Sequence, residues 1–401
     1  MGSQSNNRIF IFLGAFLAVA VLAVVIAVPL ALSQNNVNGG DAAINILTEV
    51  PIIDGHNDWP YQLRRHLQNK INDIDFMTQN FSELYNGSHT DVPRMKIGKM
   101  GAQFWSCYCA CAAGGKDAVR LGIEQIDVVR RYTEANPLIF QFTTTADEIM
   151  AANKEGKIAC LIGIEGGHMI DSSLAALRTL FNLGTRYMTL THSCDTPWAT
   201  AFNTNKTTGL TSFGKLVVAE MNRLGMLVDL AHVSDMTMND VFDVTTAPVI
   251  YSHSSARALC DHGRNVPDDI LKRLAENKGI LMVNFYNDYV TCSPKANISN
   301  VADHFDYVKN LIGADYLGMG ADYDGVPRVP EGLEDVSTYP NLIRELLSRG
   351  WATDDLKKIS GGNILRVMRA VEDVAKQSSN VSPGETWIPD SEVASVCRTP
   401  A

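Results

Sequence analysis

The sequence predicts an α/β protein, a (β/α)8 TIM-like barrel with a metal site at the C-terminal ends of its strands. Three observations lead there. Apolar runs of strand length lie at 50–56, 102–108, 158–164, 185–191, 226–231, 247–252, 279–284 and 316–321, eight in all. Most are separated by amphipathic helical stretches. Seven times a run ends on residues able to serve a metal or a substrate: His56 and Asp58, Glu165 and His168, His192, His232, His253, Tyr289, and Asp322 with Asp324. Polar side chains at successive strand ends are how a barrel builds its active face.

The elements follow in chain order. Residues 1–8 read as a short tail. Ile9 to Leu32 form an uncharged apolar stretch, expected as a transmembrane signal anchor, with a cleaved signal peptide as the alternative. Arg8 before it favours a cytoplasmic N-terminus. That orientation puts residues 50–401, the catalytic barrel, outside the cell membrane, and no lipid-anchor signal follows at the C-terminus. Residues 33–49, with Asn35, Asn36, Asn38, Gly39 and Gly40, read as a polar linker. Segment 57–101 is expected as a long loop over the active face. Helices are expected at Lys116–Glu134, Ser212–Leu224, Ser234–Thr245, Pro267–Asn277 and Val301–Ile312. Strands apolar on both faces and joined through helices imply a parallel sheet with right-handed crossovers. An open doubly wound sheet is the alternative. It would gather its site at one switch point, whereas here the chemistry is spread over many strand ends.

Composition narrows the function. The 401 residues carry a net charge of −10, 46% hydrophobic and 19% charged residues. With no basic stripe, nucleic acid is excluded as a partner. No dinucleotide fingerprint or P-loop is present. Asn-X-Ser/Thr sequons at Asn80, Asn86, Asn205 and Asn297 fit surface glycosylation; a fifth, at Asn380, is discounted because Pro383 follows it. Some of the eight cysteines should pair in an oxidising compartment. Cys160, inside a strand run, is expected as a buried thiol. The Cys107, Cys109, Cys111 cluster is disfavoured as a metal site, since soft thiolates sit poorly beside imidazoles and carboxylates.

His56, Asp58, Glu165, His232 and His253 offer three imidazoles and two carboxylates. His56 and Asp58, two apart at a strand end, can face one metal. N and O donors without thiolate suit zinc or a similar divalent ion. Five donors exceed what one catalytic zinc takes, and suit two ions if Glu165 bridges. The glycines after Glu165 leave room for that approach. His66, His89, His262 and His304 are expected at the surface.

Asp54-Gly-His-Asn-Asp58, Gly163-Ile-Glu-Gly-Gly-His168, Leu190-Thr-His-Ser-Cys194, Asp229-Leu-Ala-His-Val-Ser234, Tyr251-Ser-His-Ser-Ser255, Arg264-Asn-Val-Pro-Asp268 and the run Gly320 to Gly332 together resemble the membrane (renal) dipeptidase family of zinc peptidases. The resemblance spans roughly 48–398. It implies a membrane-associated extracellular dipeptidase that also takes cysteinyl-glycine-type substrates. A hydroxide bridging two Zn2+ would attack the peptide bond. By the same resemblance His56, Asp58 and Glu165 hold one ion, and Glu165, His232 and His253 the other. His192 stabilises the tetrahedral intermediate, Asp322 moves the proton, Arg264 receives the substrate carboxylate and Tyr289 lines the pocket. His168 lies near the metals without binding them. It further implies disulfides Cys111 to Cys194 and Cys260 to Cys292, with Cys397 linking a homodimer. The alternatives are another amidohydrolase-type activity on the same barrel, or an inactive membrane adhesion protein.

Overall fold

The computed structural model describes residues 42–393. The expected span at 9–32 and Cys397 lie outside these residues. Among the described residues no helix is long and apolar enough to cross a membrane.

Nine parallel strands form one sheet: β1 Ile52–Asn57, β2 Met100–Tyr108, β3 Phe140–Phe142, β4 Ile158–Glu165, β5 Thr185–Thr189, β6 Leu227–Asp229, β7 Ile250–Ser254, β8 Ile280–Val283 and β9 Leu317–Met319. Their order is β2-β1-β9-β8-β7-β6-β5-β4-β3, and a further β2–β4 pairing closes the ring. Eight strands therefore make the barrel, as the periodicity predicts. The ninth, β3, was not foreseen. It pairs with Ile158 to Cys160 of β4, while β5 pairs with the later residues Ile162 to Glu165 on the same strand. Its three residues give too short a run for a periodic signal.

Alternation along the strands sorts the core into two compartments. In β4, Ala159 and Leu161 point one way with Ile53, Phe104, Tyr187, Leu227, Ile250 and Met282, filling the barrel. Cys160, Ile162 and Ile164 point the other way into the layer under the helices. This is the period-2 rule acting on strands buried on both faces. Glu165 continues the inward parity of 159 and 161, which aims it into the mouth. The ring of Tyr187 crosses the barrel where Gly163 lies: a Cβ on Gly163 would sit 2.0 Å from it.

Two expectations for connecting segments are corrected. Residues 42–49, read as linker, are helical, and Ala43, Ile46 and Leu47 are buried in the core. The polar composition before them masked this short apolar stripe. Segment 57–101 is not one long loop. It contains the helix Trp59–Leu67, with Pro60 in its first turn where the missing N–H costs nothing, and the helix Val92–Ile97 capped by Asp91. Trp59 packs against Phe76 and Phe81 of the same segment and against Trp105 and Tyr132 outside it, so an aromatic cluster fastens the segment to the barrel.

Candidate metal centre

Each donor is set by the end of a strand. His56 lies in β1, and Asp58 follows at the N-cap of the helix Trp59–Leu67. The Asp58 side chain does not cap that helix; its Oδ2 lies 3.2 Å from His56 Nε2. Glu165 closes β4. His232 stands three residues beyond β6 in the left-handed region, at φ 65°. Two residues later Ser234 caps the next helix through its hydroxyl. The strand-to-helix turn is therefore compressed into five residues, and the strained backbone at His232 is held from both sides. His253 lies inside β7, and Asp322 follows β9 at φ 66°.

These side chains converge on one atom. Glu165 Oε1 is 3.1 Å from His232 Nε2, 3.4 Å from His253 Nε2, 3.5 Å from His56 Nε2 and 3.9 Å from His192 Nε2. His232 and His253 bring their Nε2 atoms within 3.0 Å of each other. Asp322 Oδ1 is 3.9 Å from His56 Nε2. The donors fall into three overlapping groups of three: His56 with Asp58 and Glu165; Glu165 with His192 and His232; and His56 with His253 and Asp322. His192 and Asp322 thus stand within ligand distance, beside the five donors named from the sequence.

The electrostatics call for a cation. Burial, followed by the Arg264 charge, pushes His232 down, and burial together with His56 and Arg264 does the same to His253. Burial raises Glu165 and Asp322, and neighbouring carboxylates add to that. Burial opposes charge on His56, yet Glu165 and Asp58 outweigh it and raise this imidazole to about 10. His253 Nδ1 faces a Ser252 hydroxyl that itself donates to Asp229, so the His253 Nε2 is left as an acceptor aimed at the Glu165 carboxylate. The buried Asp58 Oδ1 has no hydrogen-bond partner among the described residues. N and O donors arranged in this way fit divalent metal, zinc included.

A supporting shell orients the donors. His56 Nδ1 meets the Tyr187 hydroxyl at 2.9 Å. His253 Nδ1 meets Ser252 Oγ at 2.8 Å, and that hydroxyl donates to Asp229 Oδ2 at 2.6 Å. Ser106 donates to Glu165 Oε2 at 3.3 Å, and Asn284 donates to Asp322 Oδ2 at 2.9 Å. Such partners fix ring orientation and ligand basicity. Tyr187, Ser252 and Asp229 were missed from the sequence. Asp229 begins a quoted motif, but nothing local marks Tyr187 as reaching across the barrel.

The centre opens into a cavity of about 350 Å3 lined by Tyr61, Gln62, Arg65, Tyr108, His192, Tyr289 and others. Arg264 lies behind Tyr289, its guanidinium 5.2 Å from that ring. It is 1% exposed and donates to Ser254 Oγ and the His253 carbonyl at 3.2 and 3.1 Å. Among the described residues no carboxylate pairs with it.

The remaining cysteines and histidines are placed as follows. Cys111 bonds Cys194, and Cys260 bonds Cys292. Cys107, Cys109 and Cys160 are buried thiols. His168 turns from the donors to the Cys109 carbonyl and thiol, at 3.1 and 3.3 Å. The surface expectation holds for His66 alone. His304 is 1% exposed: its Nδ1 accepts from the Ala256 N–H, and its Nε2 lies 2.9 Å from the Val290 carbonyl. His89 exchanges hydrogen bonds with Asp324, and His262 accepts from the Arg264 N–H. The five sequon asparagines are exposed.

Fold and donor set together define a barrel metallohydrolase. A sequence profile described as membrane dipeptidase (peptidase family M19) matches residues 41–382. Dipeptidase 3 of Mus musculus is 47% identical over 366 residues, covering 90% of this chain and 72% of that protein. Dipeptidase 3 of Homo sapiens is 46% identical over 360 residues, covering 88% and 72%. A solved metallopeptidase from Rhodobacter sphaeroides, liganded with a phosphinate mimic of the dipeptide L-Ala-D-Ala, superposes with a TM-score of 0.72 at 25% identity, covering 80% of this chain and 99% of that one. The chain belongs to the membrane dipeptidase family and is a metallopeptidase of dipeptide-hydrolysing type.

Proposed function

We propose that the chain is an extracellular, membrane-associated zinc dipeptidase working with two ions, and that cysteinyl-glycine-type dipeptides are among its substrates. The carrying observation is the convergence of His56, His232, His253 and His192 on Glu165 Oε1. His56, Asp58 and Glu165 would hold one ion, and Glu165, His232 and His253 the other. Bound there, the ions would supply a water ionised near neutral pH and polarisation of the scissile carbonyl.

The chain's own groups supply the rest. His192 faces the cavity; burial and then Arg264 lower it to about 3, so it works as a neutral imidazole donating to the developing oxyanion. Asp322, raised by burial and oriented by Asn284, takes a proton at one carboxylate oxygen and passes it to the leaving amine. Arg264 is a buried guanidinium without a carboxylate partner, beside the wall formed by Tyr289. That supports it as receptor of the substrate's terminal carboxylate. The apolar stretch 9–32 supports a membrane anchor, and Cys397 a disulfide-linked homodimer.

Metal analysis beside a dipeptide assay tests the centre. Glu165→Gln is expected to lose bound metal and turnover together; retained zinc with normal turnover would overturn the bridging role. Arg264→Ala is expected to raise KM most for dipeptides with a free C-terminus. An equal rise for C-terminally amidated dipeptides would remove it as the carboxylate receptor.

A further inference from the structure

The dipeptidase reading leaves side-chain selection open, and one wall of the cavity bears on it. Asp58, Tyr61, Gln62 and Arg65 all line the cavity from the start and one face of the helix Trp59–Leu67. Spacings of three and four residues put such positions above one another along a helix. Gln62 ties this face to the centre by donating to the Asp324 carbonyl at 2.5 Å. Tyr61 meets Tyr108 edge to face at 5.0 Å, and the Tyr108 ring lies 4.7 Å from that of His192. The wall therefore runs unbroken from the centre to the rim, where Arg65 is exposed. The neighbouring Arg64 pairs with Glu124. The Arg65 side chain makes no ion pair or hydrogen bond among the described residues.

The position relative to Arg264 sets what Arg65 can read. Arg264 is held at the end of β7, while the Arg65 helix follows β1, and β8 and β9 stand between those strands. A dipeptide with its carboxylate at Arg264 and its peptide group at the donors directs its amino-terminal residue away from β7. Arg65 lies seven residues beyond Asp58, roughly 10 Å along the helix axis. The side chain of that residue starts on the Cα bonded to the scissile carbonyl carbon, about 1.5 Å away, and extends outward into that interval. We propose that Arg65 selects dipeptides whose amino-terminal residue carries a carboxylate side chain. This rests on the dipeptidase reading.

The test compares kcat/KM for Glu-Ala against Gln-Ala, and for Ala-Glu against Ala-Gln, on the zinc-loaded protein. Arg65→Ala is expected to lower the Glu-Ala to Gln-Ala ratio by about two- to fivefold, the range of a solvent-screened ion pair. The change should sit in KM, shrink in about 0.5 M salt, and be largely rescued by Arg65→Lys. The Ala-Glu to Ala-Gln ratio should not follow. An unmoved Glu-Ala to Gln-Ala ratio overturns the proposal, as does a shift confined to the Ala-Glu pair. If the loaded protein hydrolyses neither peptide, the dipeptidase reading fails. Calorimetric binding of Glu-Ala and Gln-Ala to wild type and Arg65→Ala then still reads the Arg65 ratio.

Discussion

At the scale of single residues, the centre depends on partners that bind no substrate. The Tyr187 hydroxyl holds His56 Nδ1 and thereby turns Nε2 toward Glu165. Removing it in Tyr187→Phe keeps the ring over Gly163 but frees the imidazole to rotate. Metal affinity should fall by about 10- to 100-fold, read by chelator competition, with the fold intact by circular dichroism. An unchanged affinity would mean that packing alone orients His56. The donors themselves were legible in the sequence because each sits in a strand-end motif of chemically distinctive residues. Tyr187 was not. Its role arises from a contact with a residue 131 positions away, which no local pattern encodes.

At the scale of elements, the eight barrel strands were legible from alternation and spacing, since strands buried on both faces must be apolar throughout. What escaped was either too short or stabilised from outside. β3 has three residues and leans on β4. The helix Trp59–Leu67 combines a polar face toward the cavity with a single aromatic anchor, which reads as loop. The helix Ile298–Ile312 was expected, but not that His304 on it would be interior. Burial lowers that imidazole, so the folded state resists its protonation. In the unfolded chain it titrates near 6.5, so below that pH the unfolded state binds more protons. The stability it contributes is complete above that value and declines as pH falls through it. Urea unfolding from about pH 5 to about pH 7.5 should therefore show a shallower pH slope for His304→Gln than for wild type, whatever its absolute stability. Parallel slopes would show that the imidazole takes up its proton as readily in the fold as in the unfolded chain.

At the scale of the whole molecule, a covalent link crosses the active face. Cys111, after β2, is joined to Cys194, two residues beyond His192 and 83 positions along the chain. Closing a loop of that length removes denatured-state entropy worth about 4.5 kcal/mol in the chain-entropy account. The pair Cys111→Ser and Cys194→Ser should lower unfolding free energy by about 2–5 kcal/mol. It should also reduce kcat, because the segment carrying His192 loses its tether. Unaltered urea midpoint and turnover would show that packing alone positions that segment.

The lead-in helix at 42–49 has a practical consequence. Leu47, Thr48 and Pro51 border a hollow together with Met100, Ile139 and Ile158, residues that open β2, precede β3 and open β4. The polypeptide thus enters at the floor of the barrel, while the donors ring its roof. A molecule immobilised by its amino-terminal side on a bead or a sensor chip would present its catalytic opening to the flowing solution. Such a surface should turn over peptide as freely as the protein in suspension.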